Sequence, residues 1–273
     1  MTVSLSKSVR QSLLTLQSTA DMMSQTQNRL ATGKKVNSAL DNATNYFTSA
    51  GLNGRATDLT NLLDGISNSV KTLEAANNGI SAITKLVETA QSTARQALAA
   101  GTDAATRTKL TTQYVELMSQ IDKMANDASF NGVNLIKDAA TTMKVVFNEK
   151  TGAAKNELDV DSVNLTSTGL ALTTATLATD TDAETALTEL NTALTSLRSA
   201  ASTFGASMTI IQTRQDFTKS TISTLKTGAD NLVLADTNEE AATLLALQTR
   251  QQLASTALSM SNQQDQSVLR LFG

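Results

Sequence analysis

The chain has 273 residues, of which 40% are hydrophobic but only 3% aromatic, with no Trp, so its core must come from Ala, Leu, Val and Ile packed in thin helical layers. Its net charge of −3 comes from scattered charges with no Lys/Arg cluster, which excludes the phosphate neutralisation needed for nucleic-acid or anionic-membrane binding. Pro, Cys and His are all absent, so long helices are permitted, disulfides and thiolate metal sites are excluded, and the commonest general base and zinc ligand are missing.

No apolar run approaches the roughly 20 residues that span a bilayer, and the N-terminal MTVSLSKSVRQSLL is amphipathic instead of charged-then-apolar. A protein of this kind that leaves the cell does so by another route than a cleaved signal peptide. Val9, Leu13, Leu16, Ala20, Met23 and Leu30 follow steps of four and three, broken only by Gln27, and place one apolar seam on a first helix ending near Gly33. The next stretch, KKVNSALDNATNYFTSAGLNG, is rich in Asn, Ser and Gly and reads as an irregular connector.

A second seam runs through Ile66, Val70, Leu73, Ile80, Val87, Ala90, Ala94 and Ala97, a helix of about 40 residues stopping at Gly101. Asp103 is a helix cap, and Leu110, Tyr114, Leu117, Ile121, Met124 and Ala128 continue the spacing on a third helix. The short loop between these two helices makes them antiparallel neighbours. Asn131-Gly132 carries the chemistry of a type I′ turn. From Thr141 to Thr179 the pattern turns β-rich, with MKVVF and ELDVDSVNL separated by a turn-like NEKTGAAKN.

A capping box at Thr181 and Glu184 opens a long heptad stretch from Leu187 to Leu232, interrupted only by Gln215 and Thr218. At 1.5 Å per residue its roughly 50 residues extend about 75 Å, which predicts a rod. A second box at Thr237 and Glu240 starts a last helix whose seam includes Leu253, Ala257, Met260 and Leu271, with polar Gln264 and Ser267 inside it. Each terminal helix is too narrow in its apolar stripe to be stable alone, so they need each other or other copies. Ala31 to Lys35 superficially resembles the end of a phosphate loop, but Asn28 stands where its first Gly belongs and Lys35 replaces its magnesium-binding hydroxyl. No cofactor or metal site and no enzyme chemistry is visible.

The segment Leu30-Ala31-Thr32-Gly33-Lys34-Lys35-Val36-Asn37-Ser38-Ala39 with Asp41 closely resembles the signature that follows the first helix of bacterial flagellins. Phe130-Asn131-Gly132-Val133-Asn134-Leu135 is similar to a second family motif, and Ala235-Asp236 through Gln263, Gln264, Val268 and Leu269 to the family's last helix. Departures are Asn42 in place of a second Asp, Tyr46-Phe47 in place of small residues, and the ending Leu271-Phe272-Gly273. The short middle implies that large outer domains are missing.

What the resemblance implies is a subunit that self-assembles with other flagellin subunits into the filament of the bacterial flagellum. It also implies export through the flagellum's own channel without a cleaved signal peptide, a cytoplasmic chaperone on the C-terminal segment, and contacts with hook-associated and cap proteins. A hook-filament junction protein shares the same ends and is the alternative. An innate immune receptor senses many flagellins through an Arg, a Glu and a Leu on the first long core helix; here Glu and Leu fall on Thr89 and Ala90 or on Thr93 and Ala94, and Arg on Leu86 or Ala90, which implies weak sensing.

The expected architecture is mainly α, an elongated antiparallel helical bundle or coiled coil with paired N- and C-terminal helices and a small β-rich excursion. Residues 1–33 with 237–273 form a terminal coiled-coil assembly domain, 34–140 with 180–236 a helical rod domain, and 141–179 a small outer segment tolerant of change. The expected self-assembly interface comprises Val9, Leu13, Leu16, Ala20, Met23 and Leu30 with Leu253, Ala257, Met260 and Leu271.

Overall fold

The computed structural model describes residues 7–272, apart from the side chains at 8, 265 and 268–272. Five helices carry most of the chain: α1 (Lys7–Thr32), α2 (Ala43–Ala99), α3 (Ala104–Asp127), α4 (Asp180–Val233) and α5 (Thr237–Phe272). Between α3 and α4 lie two short antiparallel pairs, β1 (Ser129–Phe130) with β2 (Val133–Asn134), and β3 (Thr142–Val146) with β4 (Glu157–Asp161).

The helix ends are set by local chemistry. Gly33 and Gly101 take positive φ, +69° and +58°, just beyond α1 and α2, where a side chain is strained. The Asp103 carboxylate accepts from the backbone N–H groups of Ala105 and Thr106 and caps α3. The N-cap of α4 lies at Thr179, two residues before the expected Thr181, because Thr179 and Asp182 exchange bonds, each backbone N–H donating to the other's side chain. At α5 the cap is Asp236, one residue before the expected Thr237, accepting from Asn238 and Glu239.

The largest departure from the sequence reading is α2, which has 57 residues and begins at Ala43. The stretch read as an irregular connector is therefore helical from there on. The Asn42 side chain accepts from the Asn45 N–H, and Ser49, Ala56 and Leu59 are buried along the first turns. A good cap and a buried face outweigh the poor propensities of Gly51 and Gly54.

The residues divide into two compact units, one made of the chain up to Gly54 and from Thr224 onward, the other of Arg55–Ser223. The second unit holds the largest core, in which Ile66, Ile83 and Val87 of α2, Tyr114 and Ile121 of α3, and Leu190, Leu197 and Phe204 of α4 are fully buried. Two polar pairs join the helices, the second through an interruption of the α4 heptads: Gln91 donates to Asn191 at 2.7 Å and Gln215 to Ser67 at 2.8 Å. Buried Arg107 joins the carbonyls of Gly101 and Leu177 to the Asp180 carboxylate, fixing the α2–α3 turn against the start of α4.

The β-rich stretch packs its inner face into this core. In the β3–β4 register Met143 faces Val160 and Val145 faces Leu158, so the alternation turns one face inward and leaves Lys144, Glu157 and Asp159 on the other. Val145, Phe147, Val160, Leu165, Leu170, Leu172 and Leu177 are buried with the helices. The turn beyond β3 is held by an Arg55–Glu149 ion pair at 2.5 Å and by the Arg214 guanidinium 5.6 Å from the Phe147 ring centre. Where α2 passes beneath this region Gly79 is required, since a Cβ there would lie 2.5 Å from Ala128 Cβ.

Candidate self-assembly interface

Within the first unit α1 packs on α5, joined to it at the base by backbone pairing of the two connectors. Lys35 and Val36 N–H groups donate to the Val233 carbonyl at 2.7 and 3.3 Å, and the Ala235 N–H donates to the Gly33 carbonyl at 3.0 Å. The Asp41 carboxylate accepts from the N–H groups of Asn37 and Ser38, which hold it below its usual range, and from the Ser38 hydroxyl. Asn37 also donates to the Thr32 hydroxyl at the end of α1. The residues of the signature are thus the ones that stop α1, shape the turn and tie it to the far end of the chain. Just above, Arg29 and Glu240 form an ion pair at 3.1 Å across the two helices, which run antiparallel.

Burial shows which faces meet. On α5 the less exposed positions are Glu240, Leu244, Leu247, Gln251, Ala254, Leu258 and Ser261, a strict alternation of four and three. On α1 they include Val9, Ser12, Leu16, Thr19, Met23, Thr26 and Leu30. Of the expected α1 seam, Val9 is buried, Leu16, Ala20, Met23 and Leu30 are half-buried, and Leu13 is 47% exposed. Polar Ser12, Thr19 and Thr26 take the alternate inward positions expected for Leu13, Ala20 and Gln27.

The expected α5 seam is open to solvent within the subunit: Leu253 is 66% and Met260 59% exposed, and Ala257 is exposed too. The side chain of Leu271 lies outside the described residues. The reason is that α5 is apolar on two faces, one spent on α1 and one turned outward, and periodicity alone does not rank them.

The structure does bring Leu253 and Ala257 together with α1, but through Leu14 and Met22, which the single-seam reading missed. These four line an open groove of about 650 Å³ along the α1–α5 pair, with Gln11, Thr15 and Arg250 at its polar edge. The signal was present in the doublets Leu13-Leu14 and Met22-Met23, since adjacent apolar residues widen a helix stripe beyond one seam. Leu14 is 62% and Met22 40% exposed, so an apolar face on both terminal helices is left uncovered within the subunit. Among the described residues no group of acidic side chains is arranged to hold a metal ion, and no helix is long and apolar enough to cross a membrane.

Residues 4–141 match the family model of the bacterial flagellin N-terminal helical region, and residues 187–272 that of the bacterial flagellin C-terminal helical region. The chain belongs to the flagellin family. It is 33% identical to flagellin FljM of Caulobacter vibrioides over 95% of its own length and 94% of that protein, and 28% identical to a flagellin of Brucella melitensis over 95% of each. This flagellin is a structural filament component and not an enzyme, and these relatives favour the filament subunit over a hook-filament junction protein.

Proposed function

We propose that this flagellin polymerises through the terminal segments 1–33 and 237–273, with the remaining helices as the supporting body. The observation that carries this reading is the outward apolar face of the α1–α5 pair, with Leu13, Leu14, Leu253 and Met260 all exposed in the single subunit. Burying a Leu contributes roughly 1.5–3 kcal/mol, so covering this face in a polymer offsets the ordering of two helices that have few buried residues of their own. The Val9, Leu16, Met23 and Leu30 positions then hold the pair together, while Leu13, Leu253, Ala257 and Met260 meet neighbouring copies. The subunit reaches the filament through the flagellum's own channel without a cleaved signal peptide, a cytoplasmic chaperone covers the C-terminal segment before export, and cap and hook-associated proteins bound the filament; family membership supports these readings.

Seeded polymerisation of Leu253→Asp and Met260→Asp tests the interface. Both side chains are exposed in the subunit, so the monomer's thermal transition stays within about 2 °C of the parent while elongation is lost, because a charge buried in the polymer has no partner. Parental elongation by both variants would remove α5 from the interface.

A further inference from the structure

Outside the terminal groove, the first unit carries a second exposed apolar feature. Leu40 is 98% exposed on the turn before α2, and Phe47 is 64% exposed on the first turns of α2 beside Tyr46, the two rings meeting edge to face with centres 5.5 Å apart. The turn is not loose: Asp41 is fixed by three hydrogen bonds and Asn42 caps the helix. The patch is therefore presented in a set geometry, and two aromatic rings that bury about 150–250 Å² each when covered are left to solvent.

The same chain holds a matching depression. In the second unit, α2 and α3 flank an open groove of about 880 Å³, with Val115 and Leu117 on its apolar side and Thr89, Thr93, Thr112 and Glu116 around them. Val115 is 46% exposed. An apolar floor with hydroxyl and carboxylate acceptors at the edge suits a pair of rings of which one, Tyr46, brings an O–H that needs an acceptor when buried. The other depressions fit less well. The α1–α5 groove is taken by the terminal-helix contact, the hollow at Arg107 is small at about 220 Å³, and the one beside Arg29 and Glu240 is lined by charges.

We propose that Leu40, Tyr46 and Phe47 of one subunit seat in the α2–α3 groove of a second copy, over Val115 and Leu117. A protrusion and a groove at different places on identical chains make a heterologous contact, and such contacts, when they do not close into a ring, propagate an open helical polymer. This inference rests on the reading of the chain as a filament subunit, and it adds a contact separate from the terminal helices.

The chain has no Cys, so engineered thiols report without background. A tagged Phe47→Cys subunit and an untagged Val115→Cys subunit are copolymerised and oxidised; a disulfide-linked tagged–untagged pair in filaments, absent from dilute monomer, is expected. Filaments without that pair, a pair already present in dilute monomer of the doubly substituted chain, or Phe47→Cys linking to Leu253→Cys instead would each overturn the assignment. In parallel, Phe47→Ala should raise the critical concentration for seeded growth about tenfold with an unchanged monomer melting curve. An unchanged critical concentration would refute the contact. Failure of the unsubstituted chain to elongate any seed would refute the filament reading itself, which keeps the two failures apart.

Discussion

Tyr114 lies fully buried in the α3 side of the core, and its hydroxyl has no protein partner. Burial, with a smaller contribution from the nearby Glu189 charge, pushes its phenol up to about 12. The folded chain therefore keeps this proton above pH 10, where the unfolded chain releases it, so the stabilising effect is complete below pH 10 and is lost as pH rises through about 12. Tyr114→Phe should flatten that part of the curve. Urea midpoints of parent and variant between pH 9 and 12 measure it, and parallel curves would contradict the assignment. At neutral pH the variant should cost less than about 1 kcal/mol, since the hydroxyl lost was making no bond to the protein.

At the scale of single elements, the hairpin shows what strand patterning leaves open. Phe147→Ala should destabilise the chain by about 3 kcal/mol in urea denaturation, because the ring is 7% exposed and carries the Arg214 contact. A change below about 0.5 kcal/mol would show that the ring's burial contributes little to the fold. The strands themselves were legible, since MKVVF and ELDVD alternate cleanly, and so was the Asn131-Gly132 turn, where both residues take positive φ. What alternation does not reveal is which surface covers the inner face. The same limit explains α5, whose two apolar faces have equal periodicity, and whose inward face is distinguished only by the partner it finds in Thr19, Thr26 and Leu16.

The element α2 bears on immune sensing as well. Ala90 and Ala94 are fully buried, and only Thr89 of the matched positions is well exposed, so neither register offers the cation and large anchor typical of an interface hot spot. Purified monomer should fail to activate receptor-bearing cells at nanomolar concentration, and activation at that level would refute this.

For the whole molecule, the two units differ in how much each buries. Leu247 is the one buried hydrophobic side chain among the described residues of α5, and Val9 that of α1, whereas α2, α3 and α4 of the second unit each bury several, from Ile66 to Ala97, from Leu110 to Ala125 and from Ala183 to Ile211. Sparse burial marks the part of a protein that opens at low free-energy cost. Limited proteolysis of the monomer should accordingly cut α1 and α5 well before any site in Arg55–Ser223, and both should become resistant in the polymer. Terminal helices that resist cleavage in the monomer would show that they are stable without neighbours. The narrow apolar stripes of the two terminal segments made their need for a partner readable, yet the unit boundaries were concealed, since they fall inside α2 and α4 where the helical period does not change.

The ion pair between Arg29 and Glu240 joins residues 211 positions apart, which has consequences for the order of events during synthesis. Residues Arg55–Ser223 form one uninterrupted stretch whose contacts can close as it emerges, whereas α1 precedes that whole stretch and its partner α5 follows it. The entropy of closing so long a loop grows slowly with length, but it must be met before any contact in the α1–α5 pair returns free energy. Folding of the second unit shortens that loop to the chain outside it, so the pair closes late, after the body has condensed. A nascent chain therefore elongates with α1 unpartnered until α5 has emerged, and the pairing of the two helices waits for it.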